Sequence, residues 1–304
     1  MLLLQQMIVL FILMGVGYIC YRQEMITDEV SRKLSAIVVN IANPALVLSA
    51  CTGENKIQGR ELLMIAAIVI AVYAALLLLA LMIPRLLLVE QKSRGTYQAM
   101  TVFSNIGFMG FPVVAALYGN EAVLYASLFT IPYNVLIYTY GVAAMAKEKE
   151  KLKGSFSLKR IFNVGVIACI ITIVVYLLRI PVPRFIGTTI TNLSNLTAPL
   201  SMMVIGASLA TIDLKKLFTD GKLLLFSAIK LLLIPIAGVL IIRQFVDNDM
   251  ICGVCMVMLA TPVGSMTAMM AQQYDGDYEM ASKGVALTTI LSVITMPVVS
   301  MLVM

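Results

Sequence analysis

The residues able to do chemistry in this chain are few, mostly neutral, and set in strongly apolar surroundings. Asn105, Gly107 and Gly110 lie within FSNIGFMGFP (103–112), and Thr261, Pro262, Val263 and Gly264 lie within CMVMLATPVGSMTAMM (255–270). Asparagine, glycine and proline remove or compete for backbone hydrogen bonds that lipid cannot replace. A helix broken at either place exposes amides at the start of its second half and carbonyls at the end of its first. The amide end carries a partial positive charge that receives an anion without a full lysine in lipid. Asn105 adds a side-chain donor, Gly107 and Gly110 allow close backbone approach, and Thr261, Pro262 and Gly264 face them from the second break. One such segment alone reads as a kink or packing point, as Pro112 does; two at corresponding positions favour a site.

Lys230 falls near the centre of an apolar stretch, too far from either end for its side chain to reach outside water. Two roles stay open for it: contact with a cavity or a substrate carboxylate, and donation to carbonyls freed by a break or by nearby Pro235. Lys283, close to the start of the last stretch, snorkels to the surface. Asn43, before Pro44, and Asn134, after Pro132, serve either a ligand or ion, or locally freed backbone groups. The chain has no histidine, and no Asp or Glu sits near the centre of an apolar stretch, so a carboxylate or imidazole proton relay has no carrier. Potential-driven movement of an anion is slightly favoured, since about 100 mV supplies roughly 2.3 kcal/mol per charge. Coupling to Na+ or H+ stays open, and no cofactor is implied.

These residues must be positioned by membrane helices. Hydrophobic residues make up 61% of the chain and charged ones 12%, and mean hydropathy is +0.97. Ten apolar stretches are long enough to cross about 30 Å of hydrocarbon: 3–22, 33–51, 61–84, 96–117, 122–145, 161–179, 187–210, 221–242, 250–272 and 279–303. The first lacks a basic lead and an A-x-A-like cleavage site and reads as a retained span. Five scattered cysteines support neither a disulfide framework nor a zinc site, and the CxxC of Cys252 and Cys255 reads as apolar packing.

The charged loop 147–160 divides the spans into a first repeat, 1–146, and a second, 161–304. A shift of 155 residues brings Asn40 and Pro44 onto Asn195 and Pro199; a shift of 156 brings Met100, Ala115 and Tyr118 onto Met256, Ala271 and Tyr274. Five spans per repeat is odd, so the halves cross in opposite senses, an arrangement of secondary transporters whose broken helices meet at mid-depth. Odd-numbered loops hold fifteen Lys and Arg and even-numbered loops five. The positive-inside rule then puts both termini outside the cytoplasm, in a cell membrane. The 147–160 loop reads as a solvated, orienting linker, with contact to anionic lipid the lesser alternative.

The tail KLLLIPIAGVLIIRQ (230–244), CMVMLATPVGSMTAMMAQQYDGDYEMASKGVALTTILSVITMPVVSMLV (255–303), NIANPALVLSA (40–50) and SNIGFMGFPVVAALYGNEA (104–122) resemble the auxin efflux carrier family, in the bile/arsenite/riboflavin transporter superfamily. The likeness covers essentially the whole chain, as a short bacterial-type member. It implies an all-α integral membrane fold of ten helices in a five-plus-five inverted repeat, similar to the bile-acid symporters, with a scaffold beside a transport bundle and broken helices four and nine crossing. It implies small organic anions as substrates, auxins or dicarboxylates such as malonate or malate, and a homodimer through the scaffold. The crossover carries onto Asn105–Phe108 and Thr261–Gly264, so Ile106, Gly107, Pro262 and Val263 join Asn105 in the substrate site. Here the fourth span has Asn-Ile-Gly where the family's pattern has a proline beside the asparagine.

The expected activity is therefore secondary transport of a small carboxylate by alternating access at this crossover, with Lys230 balancing charge. A membrane sensor without turnover is the alternative, but no signalling domain or long docking loop is present. An intramembrane enzyme lacks any Ser/His, paired Asp or metal constellation, and nothing points to nucleic acid.

Overall fold

The computed structural model describes residues 2–50, 59–145, 163–178, 180–211 and 217–303. The linker 147–160, Cys51, and Lys56, Arg179, Lys215 and Lys216 of the charge count lie outside the described residues. The described residues form helices α1 (Leu2–Arg22), α2 (Asp28–Ile37), α3 (Asn43–Ser49), α4 (Gly59–Leu86), α5 (Gln91–Val102), α6 (Phe111–Tyr118), α7 (Ala122–Ser127), α8 (Thr130–Leu136) and α9 (Val142–Met145). There follow α10 (Val164–Leu177), α11 (Arg184–Ser194), α12 (Thr197–Ala210), α13 (Gly221–Ala228), α14 (Ile234–Arg243), α15 (Asp249–Ala260), α16 (Ser265–Gln273) and α17 (Tyr278–Val303).

Helix starts follow local capping chemistry. Asp220 accepts from the amides of Lys222 and Leu223, Asn248 from Met250 and Ile251, and Asn163 from Val166, each satisfying donors that the first turn leaves unpaired. Three prolines inside the bundle, Pro44, Pro112 and Pro235, follow widened, π-helical turns. Val38–Ala42, Ile106–Gly110 and Ile229–Leu233 each end two residues before a proline. The residue just before each proline, Asn43, Phe111 or Ile234, donates five residues back, to Val38, Ile106 or Ile229. Such bulges keep the chain helical past a residue with no N–H to give, and they concentrate at functional sites.

Among the described residues, five helical stretches are long and apolar enough to cross a membrane: Glu61–Leu86, Ala122–Met145, Arg184–Ala210, Gly221–Arg243 and Tyr278–Val303. Four further apolar helices, Ile8–Arg22, Ile106–Tyr118, Val164–Val175 and Asp249–Ala260, are shorter. Two of the shorter ones arise because the stretches expected at 96–117 and 250–272 are each divided, by the breaks at 103–105 and 261–264. The stretch expected at 33–51 is composite, built from α2, the wide turn 38–42 and α3.

Packing between helices is closest where small residues allow it. A Cβ on Gly17 would lie 2.2 Å from the Met203 carbonyl oxygen, and one on Gly206 would lie 1.9 Å from that of Met14, so α1 and α12 meet backbone to backbone. At one end of the bundle Lys222 Nζ donates to the Leu88 carbonyl at 2.7 Å, and Ser93 Oγ donates to Asp277 at 2.5 Å. These bonds gather the third, seventh and ninth loops. At another point Tyr125 and Asn248 donate to the Glu61 carboxylate at 2.8 and 3.4 Å, joining residues beside the second, fourth and eighth.

Candidate functional site

The two breaks meet. Ser104 and Val263 form an isolated antiparallel bridge, flanked by Asn105 N donating to the Pro262 carbonyl at 2.7 Å and Gly264 N donating to the Phe103 carbonyl at 2.9 Å. The amide of Val263 is met by Thr288 Oγ1 of α17 at 3.1 Å. Three donors at the breaks are thus paired, Asn105 N and Gly264 N across the crossing and Val263 N on α17, which removes a cost of several kcal/mol per group in the bilayer core. Gly264 is needed for that approach: a Cβ there would lie 3.0 Å from the Ser104 carbonyl oxygen.

A cavity of about 260 Å³ opens beside the crossing. From the first break it is lined by Ser104, Asn105, Ile106, Gly107 and Phe108, and from the second by Gly264, Ser265 and Met266. Both second half-helices begin here, at Ile106 and at Ser265, so two amide ends with their partial positive charge border one space. Asn105 Oδ1 caps the first of them, accepting from Phe108 N at 3.3 Å.

The remaining wall carries Asn43, Asn134, Tyr133, Tyr138, Thr130 and Asn163. Asn43 Nδ2 donates to the Gly107 carbonyl at 3.0 Å, leaving its buried Oδ1 without a protein partner. Asn134 Nδ2 donates to Thr130 O, one turn back on its own helix, at 2.8 Å, and its Oδ1 accepts from Asn163 Nδ2 at 2.6 Å. Among the described residues, no charged side chain lines the cavity. Asn43 is therefore tied to the first break, and Asn134 to its own turn and to α10.

Four residues singled out by sequence lie behind this surface. Thr261 and Val263 are fully buried, and the Thr261 hydroxyl donates to Met258 O at 2.8 Å; with Pro262 they build the crossing rather than the wall. Lys230, in the wide turn 229–233, has no exposed surface, and its Nζ donates to Thr101 O at 3.0 Å and Ser104 Oγ at 2.7 Å. Thr101 stands in the last turn of α5, whose carbonyls the break frees, so the lysine meets the freed-carbonyl alternative.

Ser104, Thr130, Tyr133, Tyr138 and Asn163 were not among the sequence candidates. Asn163 had a signal, since it stands directly before an apolar run, where an N-cap belongs. Of the cysteines, Cys20, Cys169, Cys252 and Cys255 are free thiols, and no group of residues suited to hold a metal occurs among the described residues.

A family model described as "Membrane transport protein" matches residues 2–300. An "Uncharacterized transporter" of Methanothermobacter thermautotrophicus is 23% identical over 289 residues, covering 94% of this chain and 93% of its own. Another, of Methanocaldococcus jannaschii, is 22% identical over 294 residues and covers 94% of each chain. A protein of Rhizobium meliloti named "Putative malonate transporter" is 25% identical over 295 residues, covering 94% of this chain and 91% of its own.

Proposed function

This chain belongs to the membrane transport protein family, and we propose that within it the chain is a secondary carrier of small organic anions, carboxylates such as malonate or malate, working by alternating access at the crossing of the two breaks. The observation that carries the reading is the joint one at the crossing: two half-helix amide ends border one cavity that no charged side chain lines among the described residues, held together by backbone pairing of Ser104 with Val263. Such a site attracts a carboxylate through fixed dipoles, yet offers no full cation to hold it permanently. The name of the Rhizobium relative points to the same substrate class.

The carrier has ten spans in two inverted halves, 1–146 and 161–304, joined by the linker 147–160. Helices α5 and α15 support the repeat, both being 12 residues long and both ending at a break. The clustering of odd-numbered loops at one end supports the alternation, with those loops cytoplasmic and both termini outside. Asn105, Ile106, Gly107, Gly264, Asn43 and Asn134 contact the substrate, and Thr261, Pro262, Val263 and Lys230 hold the geometry behind them.

Uptake of labelled malonate, malate, succinate and indole-acetate into proteoliposomes, with Na+ or K+ outside and with or without an imposed potential, tests this. At least one acid enters above the level of empty vesicles, and Asn105→Ala abolishes the excess. Uptake equal to empty vesicles for the whole panel would overturn the reading.

A further inference from the structure

Lys230 is the charged residue that the described protein buries completely, and no carboxylate pairs with it among the described residues. Its two partners are Thr101 O and Ser104 Oγ. An ammonium only donates, so Ser104 Oγ must be the acceptor at 2.7 Å, and the hydroxyl keeps its own proton to give away. Ser104 lines the cavity and Lys230 does not. The serine therefore stands between the buried lysine and an open space that no charged side chain lines among the described residues.

We infer that Lys230 and Ser104 form a relay for anion binding: the ammonium behind the break polarises the Ser104 hydroxyl, which donates into the cavity to the carboxylate of the substrate. The inference rests on the carrier reading and deepens it, adding to the two amide ends a source of positive charge that never touches the ligand. Hydrogen bonds in series strengthen one another in a low-dielectric interior, and donation to an ionised acceptor is the stronger kind. The carbonyl end of α5, where Thr101 O lies, holds the ammonium by its partial negative charge. Placing the lysine behind a hydroxyl has a consequence for turnover. A direct ammonium–carboxylate pair in a dry site would have to be broken in every cycle, whereas a neutral hydroxyl offers a contact that is directional and releasable. Ser104 is here a binding residue and Lys230 a positioning residue acting through it.

The test is titration of the purified full-length protein with malonate, malate and succinate, read by thermal stabilisation, in the wild type, Ser104→Ala, Ser104→Thr, Lys230→Met and the double variant Ser104→Ala/Lys230→Met. The relay requires that Ser104→Ala weaken binding by about tenfold or more, the loss of one bond to a charged group. It requires that Ser104→Thr, which keeps the hydroxyl, stay within about threefold of wild type. It also requires that Lys230→Met match the loss in Ser104→Ala with no further loss in the double variant, since residues acting as one unit are non-additive. A purely structural lysine would lower the melting temperature without the ligand and leave the affinity unchanged. Unchanged affinity in Ser104→Ala, or losses that simply add, would overturn the relay while the carrier reading stands. If Lys230→Met does not fold, the two serine variants decide. A wild type stabilised by none of the three acids removes the carrier reading for them and the relay with it.

Discussion

Asn43 and Gly107 constrain each other at the cavity wall. The amide of Asn43 can present only Nδ2 to the Gly107 carbonyl, because the alternative would set two acceptors face to face. A Cβ on residue 107 would stand 3.2 Å from that nitrogen, so a side chain there crowds the bond it frames. Asn43→Leu strands a carbonyl inside the bundle; a destabilisation of about 1–3 kcal/mol is expected, seen as a lower melting temperature in detergent. Asn43→Gln, with the same group on a longer arm, recovers part of it. Asn43 stood out in the sequence as an asparagine beside a proline in an apolar stretch, open to a ligand or to freed backbone groups, and Gly107 as part of an interruption in one. Ser104 and Asn163 did not. A serine next to an asparagine in a break adds little local signal, and an N-cap before an apolar run looks the same whether or not it also faces a cavity.

Among the elements, the breaks themselves were readable from composition, since glycine, proline, asparagine and threonine interrupt otherwise apolar helices at 103–112 and 261–264. The matching residues and the helix bounds give slightly different offsets between the two segments. Matching residues align the halves at a shift of 156, whereas α5 and α15 start at Gln91 and Asp249 and end at Val102 and Ala260, two residues further along. The two breaks are built differently: Thr261, just before Pro262, is extended, while the first break leads into the wide turn Ile106–Gly110 with Asn105 as its cap. The contact between the breaks is tight enough to test. Gly264→Ala places a methyl 3.0 Å from the Ser104 carbonyl oxygen, against backbone on the other strand rather than a side chain that can swing away. The expected result is loss of at least about tenfold in uptake, about 1.4 kcal/mol of transition-state or binding free energy, with the protein still folded by its melting curve. Wild-type uptake in this variant would mean that the crossing tolerates separation and is not the working site.

At the scale of the whole molecule, bonds between distant segments, such as Ser93 with Asp277 and Lys222 with Leu88, bring the third, seventh and ninth loops to one end of the bundle. Orientation in the membrane then rests on charge. In a cysteine-free background, Asp247→Cys in the eighth loop is expected to react with an impermeant maleimide added to intact cells, and Gln273→Cys at the ninth loop only after the membrane is opened; both positions are exposed. The reverse pattern would invert the topology and put both termini in the cytoplasm. The membrane class was legible from composition, but the seam between α1 and α12 was not, because Gly17 and Gly206 are distant in sequence and glycine is common in membrane helices. That seam bears on how the protein can move. Side chains in an interface can hop between rotamers and let two helices slip past each other in small steps, but backbone resting on backbone at Gly17 and Gly206 has no such gears. The pair is built to hold still, and in the carrier proposed above the displacement of the crossing is taken up along softer surfaces.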